Sequence, residues 1–248
     1  MAFQDYKVTG HSVFVGLDNF ISLALDPAFW RSMGRTVYYV ILNMLFAFTA
    51  PILLAILLTE IRHLKIFYRT LFFLPQMTSG LVIALMWKLL YDPTPKGFFN
   101  QRISYLNYLP FVNIEPQAWL SDPSQAMICC IIPSVWAGMG MASLIYLAAL
   151  HSLPKELYEA AEVDGAGIRQ KLLHITLPTL LPLIIINFVG TFIGTFQGMG
   201  NIFLMTFGGP GESTTVIGLK IWIEAYVNLR FSTATAMACL RAFVSCMA

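Results

Sequence analysis

Four long apolar stretches, separated by more polar segments, dominate the chain. They run over residues 37–58, 71–91, 126–150 and 177–207. Each is near or above the ~20 residues that cross ~30 Å of hydrocarbon as a helix. Lipid offers no partner to unpaired backbone N–H and C=O groups, so the helix is the expected form. Asn43, Pro51, Pro133, Pro178, Pro182, Asn187 and Gln197 interrupt the runs. Neighbouring helices and internal water absorb such defects in a bundle. A fifth segment, 232–248, starts like a span but is short and contains Arg241. A cation at the centre of a span costs about 2.5–3.5 kcal/mol on insertion scales. The pattern predicts an all-α polytopic membrane helix bundle with four full spans and a partial fifth.

Charge sets the expected orientation. The segment 60–70 holds Arg62, Lys65 and Arg69 with His63, and the segment 151–176 holds Lys155, Arg169 and Lys171. Lys and Arg are more dilute in 1–32, 92–125 and 208–231. Short loops rich in Lys and Arg stay on the cytoplasmic side. Segments 60–70 and 151–176 are therefore expected inside, and 1–32 is expected as an external N-terminal segment ahead of a transmembrane domain over 33–248. An external N-terminus with no preceding apolar run points to a missing span.

The inner segment 151–176 has a distinctive sequence. Pro154 suits the first turn of a helix, where its missing N–H costs nothing. Glu156, Leu157, Glu159, Ala160, Ala161 and Glu162 are good helix formers. Gly165 can end that helix in the left-handed conformation. A second short helix is expected over 168–174, and Pro178 opens the next span. The result is a helix-Gly-helix elbow, acidic on its first arm and basic on its second. Small Ala160 and Ala161 beside Glu159 would let another protein approach closely. An ordinary solvated loop fits the composition equally well.

Glu159-Ala160-Ala161, then Gly165, then Ile175 and Leu177-Pro178 give seven fixed positions in twenty residues. Their spacing resembles the signature of binding-protein-dependent ABC transporter permeases. Asp164, beside Gly165, falls within the same loop. Residues 14–20, 67–75, Trp119-Leu120, Trp136 and 206–210 are similar to stretches of the carbohydrate-type members, the group that includes maltose, lactose and glycerol-3-phosphate systems. The resemblance implies a bacterial or archaeal inner-membrane, multi-pass permease whose coupling loop is 151–176. It also implies an ATPase dimer docked on that loop, a second permease subunit and an extracytoplasmic solute-binding protein. Family members normally have six spans. The departures at both ends are read as truncation, or as a frame shift near Leu240, which raises a non-functional permease fragment as one alternative. A permease for peptides or amino acids is another, since the signature is shared.

Composition narrows the classes further. Hydrophobic residues make up 57% and charged residues 11%, with a net charge of +2 and a mean hydropathy of +0.69. Soluble proteins carry about 25% charged residues, so membrane lipid is the expected surroundings. No basic run suggests nucleic acid. No GxxxxGK[ST] pattern occurs, so ATP is expected on a partner chain and no cofactor on this one. No HExxH or CxxC spacing suggests a metal or a catalytic site, and the four His residues are scattered. Cys129, Cys130, Cys239 and Cys246 read as buried small hydrophobes. In the fourth span Gly190, Gly194 and Gly198 share a face, which reads first as close helix packing. Asn187, Thr191, Gln197 and Asn201 nearby, with Trp136 as a stacking aromatic, are the candidate substrate pathway, because polar groups in spans face a bundle interior or a water-filled cavity. The external loop 208–211 is expected to turn tightly and present Glu212, Ser213 and Thr214 outward.

Overall fold

The computed structural model describes residues 1–6, 12–60, 65–108 and 113–247, with the side chains of Glu60, Lys65, Lys155 and Met247 left aside. Lys7, His11, Arg62 and His63, and the side chains of Lys65 and Lys155, which entered the reading of the loops, lie outside the described residues. A two-residue antiparallel ladder pairs β1 (Gln4–Asp5) with β2 (Val13–Phe14). Twelve α-helices follow among the described residues: α1 Asp18–Leu25, α2 Pro27–Glu60, α3 Lys65–Phe73, α4 Gly80–Leu90, α5 Phe98–Leu106, α6 Ala126–His151, α7 Lys155–Val163, α8 Ile168–Lys171, α9 Leu177–Gln197, α10 Gly200–Met205, α11 Ile217–Trp222 and α12 Phe231–Met247.

The stretches Pro27–Thr59, Ala126–His151 and Ile168–Met205 are long and apolar enough to cross a membrane. A broken pair, Ile66–Met77 with Gly80–Leu90, makes a fourth if counted as one span. The break corrects the expectation of one continuous helix over 71–91. Pro75 tightens the chain into a 3-10 turn over Leu74–Met77, and Thr78 then turns to extended backbone. The fourth apolar run is interrupted as well. It leaves α9 at Gln197 and re-forms as α10, after Met199 departs from helical geometry. The boundary expected at residue 32 falls inside α2, whose first turn begins at Pro27.

The chain divides into two compact units. The first holds Met1–Leu42, Gly80–Pro133 and Ile193–Ala248. Its core includes Phe29, Met127, Ile131, Ile202, Ile217, Leu219 and Met237. The hydroxyl of Thr36 accepts a hydrogen bond from the Ile217 N–H at 2.8 Å. That satisfies one of the donors orphaned where α11 begins. The Tyr6 N–H donates to Ser232 Oγ at 2.7 Å, a pairing of residues 226 apart. In the segment 92–125, Asn100 is almost fully buried and organises the loop. Its Nδ2 donates to the Pro93 and Gln117 carbonyls at 3.1 and 3.0 Å, and its Oδ1 accepts from Gln117 N and Trp119 Nε1 at 2.9 and 3.0 Å. The loop after α10 turns tightly, with Gly208 at φ +90° and Gly211 at +55°. It does not present all three expected side chains. Glu212 is exposed, Ser213 is half-buried and Thr214 is fully buried. The Thr214 hydroxyl is consumed by the Gly209 carbonyl at 2.8 Å and the Thr206 hydroxyl at 2.7 Å. Cys129 and Cys130 are buried as expected, whereas Cys239 and Cys246, on the last helix α12, are exposed.

The second unit holds Asn43–Ser79 and Ser134–Phe192. Leu54, Ala55, Leu58, Tyr146, Leu147 and Leu180 form its core. Phe48 meets Phe188 edge to face at 5.7 Å. Gly140 lets α6 touch the backbone of α3. A Cβ at that position would overlap the Phe72 carbonyl oxygen and lie 2.7 Å from its carbon. The Arg69 guanidinium lies 3.2 Å from His151 Nε2 and ties α3 to the end of α6.

Candidate functional site

The elbow belongs to the second unit. Pro154 stands one residue before α7, as its N-cap, with φ −59° and extended ψ. Glu156 in the first turn of α7 suits the positive end of the helix dipole. The helix ends as Gly165 implied. Gly165 adopts φ +78°, its N–H donates to the Glu162 carbonyl at 3.0 Å and the Ala166 N–H donates to the Ala161 carbonyl at 2.8 Å. This pair of bonds is the Schellman termination, which satisfies the last carbonyls of a helix through a left-handed residue. The second arm begins as expected but does not stay α-helical to 174. After α8 it widens into a π-turn over Leu172–Thr176, which runs directly into α9. Pro178 has no N–H to give to the ladder, and the Leu177 N–H reaches back to the Leu172 carbonyl.

The elbow has an outer and an inner side. Glu159, Ala160, Asp164 and Gly165 are exposed, and Ala161 is half-buried. Val163 and Ile168 flank the turn at 89% and 80% exposure. Apolar side chains this exposed beside a carboxylate make a knob of mixed chemistry. Ile175 and Leu177 are half-buried at the foot of the second arm, and Pro178 is exposed. On the inner side Lys171 Nζ reaches Glu162 Oε1 at 2.7 Å, so the basic and acidic arms are bonded to each other. That bond holds the Glu162 carboxyl below its ordinary range. The Tyr158 hydroxyl lies 3.0 Å from the buried Thr176 hydroxyl. A cleft of about 500 Å³ lies beneath, lined among others by Ile56, Thr59, Leu150 and Leu153. The sequence did not reveal these pairings, because they join residues 9 and 18 positions apart across a turn. The available signal was the i, i+4 placement of Tyr158 and Glu162 on one helical face.

The candidate pathway residues fall in both units. Trp136, Asn187 and Thr191 are in the second, each half-buried. Thr191 lines a cleft of about 200 Å³ with Asn43, Ala47, Pro51, Ser134 and Gly138. Asn187 spends its Nδ2 on the Leu183 carbonyl of its own helix, at 2.9 Å. Gln197 and Asn201 are in the first unit. Gln197 is exposed in a cleft with Trp222 and Tyr226, and Asn201 donates to the Cys130 carbonyl at 3.4 Å. Two of the three glycines on the shared face of the fourth apolar run have open space beside them among the described residues. A Cβ on Gly190 or Gly194 would meet nothing within 4 Å. Among the described residues no three His, Cys, Asp or Glu side chains converge as a metal site would require.

Comparison with known proteins places this geometry among related chains. Residues 21–247 match the model of the family described as the binding-protein-dependent transport system inner membrane component. A probable ABC transporter permease protein of Bacillus subtilis, YurN, is 32% identical over 95% of this chain and 80% of its own length. The trehalose/maltose transport system permease protein MalF of Thermococcus litoralis is 31% identical over 91% of this chain and 74% of its own. A chain of the bacterial alginate ABC transporter, solved with an alginate pentasaccharide-bound periplasmic protein, superposes with a TM-score of 0.83. It is 27% identical, and the match covers 94% of this chain and 79% of that one.

Proposed function

Since the chain belongs to the family of binding-protein-dependent transport system inner membrane components, we propose that it moves a sugar or sugar derivative across the membrane, driven by an ATPase dimer docked on its elbow. Membership makes it a multi-pass inner-membrane permease of an ABC importer, a component without catalysis of its own. The observation that carries the coupling role is the exposed outer side of the elbow. Glu159, Ala160 and Gly165 of the signature are solvent-facing there, with Val163 and Ile168 beside them. A partner groove would cover the two apolar side chains, and its Arg or Lys would pair with Glu159. A second permease subunit and an external solute-binding protein complete the proposed assembly. The coupling loop 151–176 faces the cytoplasm in this reading.

The sugar reading is supported by relatives named for trehalose/maltose and alginate transport and by the chemistry of the Thr191 cleft. Its polar side chains are the amide of Asn43 and the hydroxyls of Ser134 and Thr191, and no charged side chain lines it among the described residues. A buried ion needs an opposite charge, whereas neutral hydroxyls are matched by amides and hydroxyls. Trp136, Asn187, Gln197 and Asn201 remain proposed pathway residues.

The test uses the complete transporter in proteoliposomes. A Val163→Cys variant should react with a membrane-impermeant maleimide only from the ATPase side, and bound ATPase should protect it. Glu159→Lys should abolish ATP-driven uptake while the transporter still assembles. Labelling of Val163→Cys from the side of the solute-binding protein, or full uptake by Glu159→Lys, would refute the docking role.

A further inference from the structure

We propose that Tyr158, Glu162, Lys171 and Thr176 form a two-point clasp that carries movement of α7 into the span α9, which makes them positioning residues for coupling. The proposal rests on the reading of the elbow as the ATPase dock. Tyr158 and Glu162 are four residues apart and share one face of α7. Both bond to the segment that leads into α9: the Tyr158 hydroxyl meets the Thr176 hydroxyl at 3.0 Å, and Lys171 Nζ donates to Glu162 Oε1 at 2.7 Å. Glu159 and Val163, also four apart, lie about 100° further round the helix and are exposed. On the bonded face Tyr158 and Lys171 are half-buried while the Glu162 side chain stays 63% exposed at the edge, so the helix has one face free for a partner and another fastened to the segment before α9.

The backbone alone is a poor transmitter here. The arms join through Gly165 and Gly167, and α7 begins after a turn and a bend over residues 152–153. The 500 Å³ cleft beneath leaves the elbow loosely filled on the side of Ile56, Thr59 and Leu150. A push on the outer face would tilt α7 into that space unless the clasp passed it on. Thr176 is buried, and its hydroxyl also reaches the Lys171 carbonyl at 3.4 Å. Both anchor points therefore sit at the two ends of one π-turn, directly before Leu177. π-turns of this kind are frequent at functional sites. From there α9 runs uninterrupted to Thr191 in the proposed sugar cleft.

The test measures ATP hydrolysed per sugar imported, in the complete reconstituted transporter supplied with maltose or another sugar it imports. Glu162→Lys and Lys171→Glu should each raise that ratio about three- to tenfold while the ATPase rate is retained, the range expected for one hydrogen bond in a transmission path. The double exchange should return the ratio to within about twofold of the parent, since it remakes the bond with the charges swapped. Tyr158→Phe removes a single hydroxyl and should raise the ratio in the same way if the charge reversals fail to assemble. A merely structural role would lower hydrolysis and uptake together, so a parallel loss overturns the proposal, as does an unchanged ratio in Tyr158→Phe. Glu159→Lys run alongside separates the two readings: if it uncouples while the clasp variants do not, the dock stands and the clasp falls.

Discussion

Gly165 sets the angle between the arms of the elbow, and its replacement gives a graded test of that geometry. It sits at φ +78°, and a Cβ built there meets nothing within 4 Å. The cost of Gly165→Ala is therefore conformational, with no steric clash added. An L-residue in the left-handed region costs roughly 1–2 kcal/mol. At 25 °C that lowers the population of the formed turn about 5- to 30-fold relative to alternatives in which α7 ends differently. Asn tolerates this region better than other non-glycine residues, so Gly165→Asn should lose less. Pro fixes φ near −65° and has no N–H. Gly165→Pro therefore forbids the observed conformation and removes the 3.0 Å bond to the Glu162 carbonyl. The assay is sugar-stimulated ATP hydrolysis and uptake by the complete transporter, with assembly checked by co-purification of the ATPase. Coupled transport should fall in the order Gly, Asn, Ala, Pro. An alanine variant equal to the parent would refute the argument that the left-handed turn sets the coupling geometry.

Gly140→Ala would force α6 and α3 apart, because the new methyl would lie 2.7 Å from the Phe72 carbonyl carbon and 3.1 Å from Phe73 Cα. Carbon contacts are optimal at about 3.5–4.0 Å, and overpacking of this kind costs about 1–3 kcal/mol; a lowered thermal unfolding temperature of the detergent-solubilised complex would confirm it. Asn100→Ala would strip the buried bonds to Gln117 and Trp119 and leave their partners unsatisfied. A loss of about 2–3 kcal/mol should show as faster proteolysis within 92–125. The Glu162 carboxyl is held below its ordinary range by its hydrogen bond from Lys171. Its folded value is depressed, so the clasp bond is present above the ordinary Glu range and is lost as pH falls through the folded value. Coupling measured against internal pH should show that acid limb, and Glu162→Gln should lack it. Thr191→Val should raise the KM for uptake about 2- to 10-fold, as loss of one hydrogen bond predicts, and an unchanged KM would remove Thr191 from the pathway.

The features legible in the sequence are those set by local pattern. Apolar runs of sufficient length named α2, α6 and α9 because lipid leaves the chain little alternative. Pro154 and Gly165 marked the elbow to within a residue, since each has a fixed backbone preference. The break before Gly80 was missed because the apolar pattern over 71–91 continues through Pro75, Thr78 and Ser79, and hydropathy is blind to backbone direction. Thr214 was expected outward because polar residues in a Gly-Pro loop usually are. Its burial follows from hydroxyl partners at Thr206 and Gly209 that only the fold brings near. The clasp was hidden for the same reason: Tyr158 meets Thr176 across a turn whose angle depends on Gly165. Gly190 and Gly194 were read as packing because small residues at four-residue spacing often pack, and the pattern cannot name the neighbour they would pack against.

The bond from the Tyr6 amide to Ser232 has a consequence for biosynthesis. Its two ends are 226 residues apart, and chains are made at about 5–20 residues per second. The acceptor therefore leaves the ribosome roughly 10–45 s after the donor. During that interval the ladder of β1 and β2 lacks the anchor that Ser232 supplies. Proteases acting during synthesis should find residues 1–6 more accessible than they are in the finished subunit.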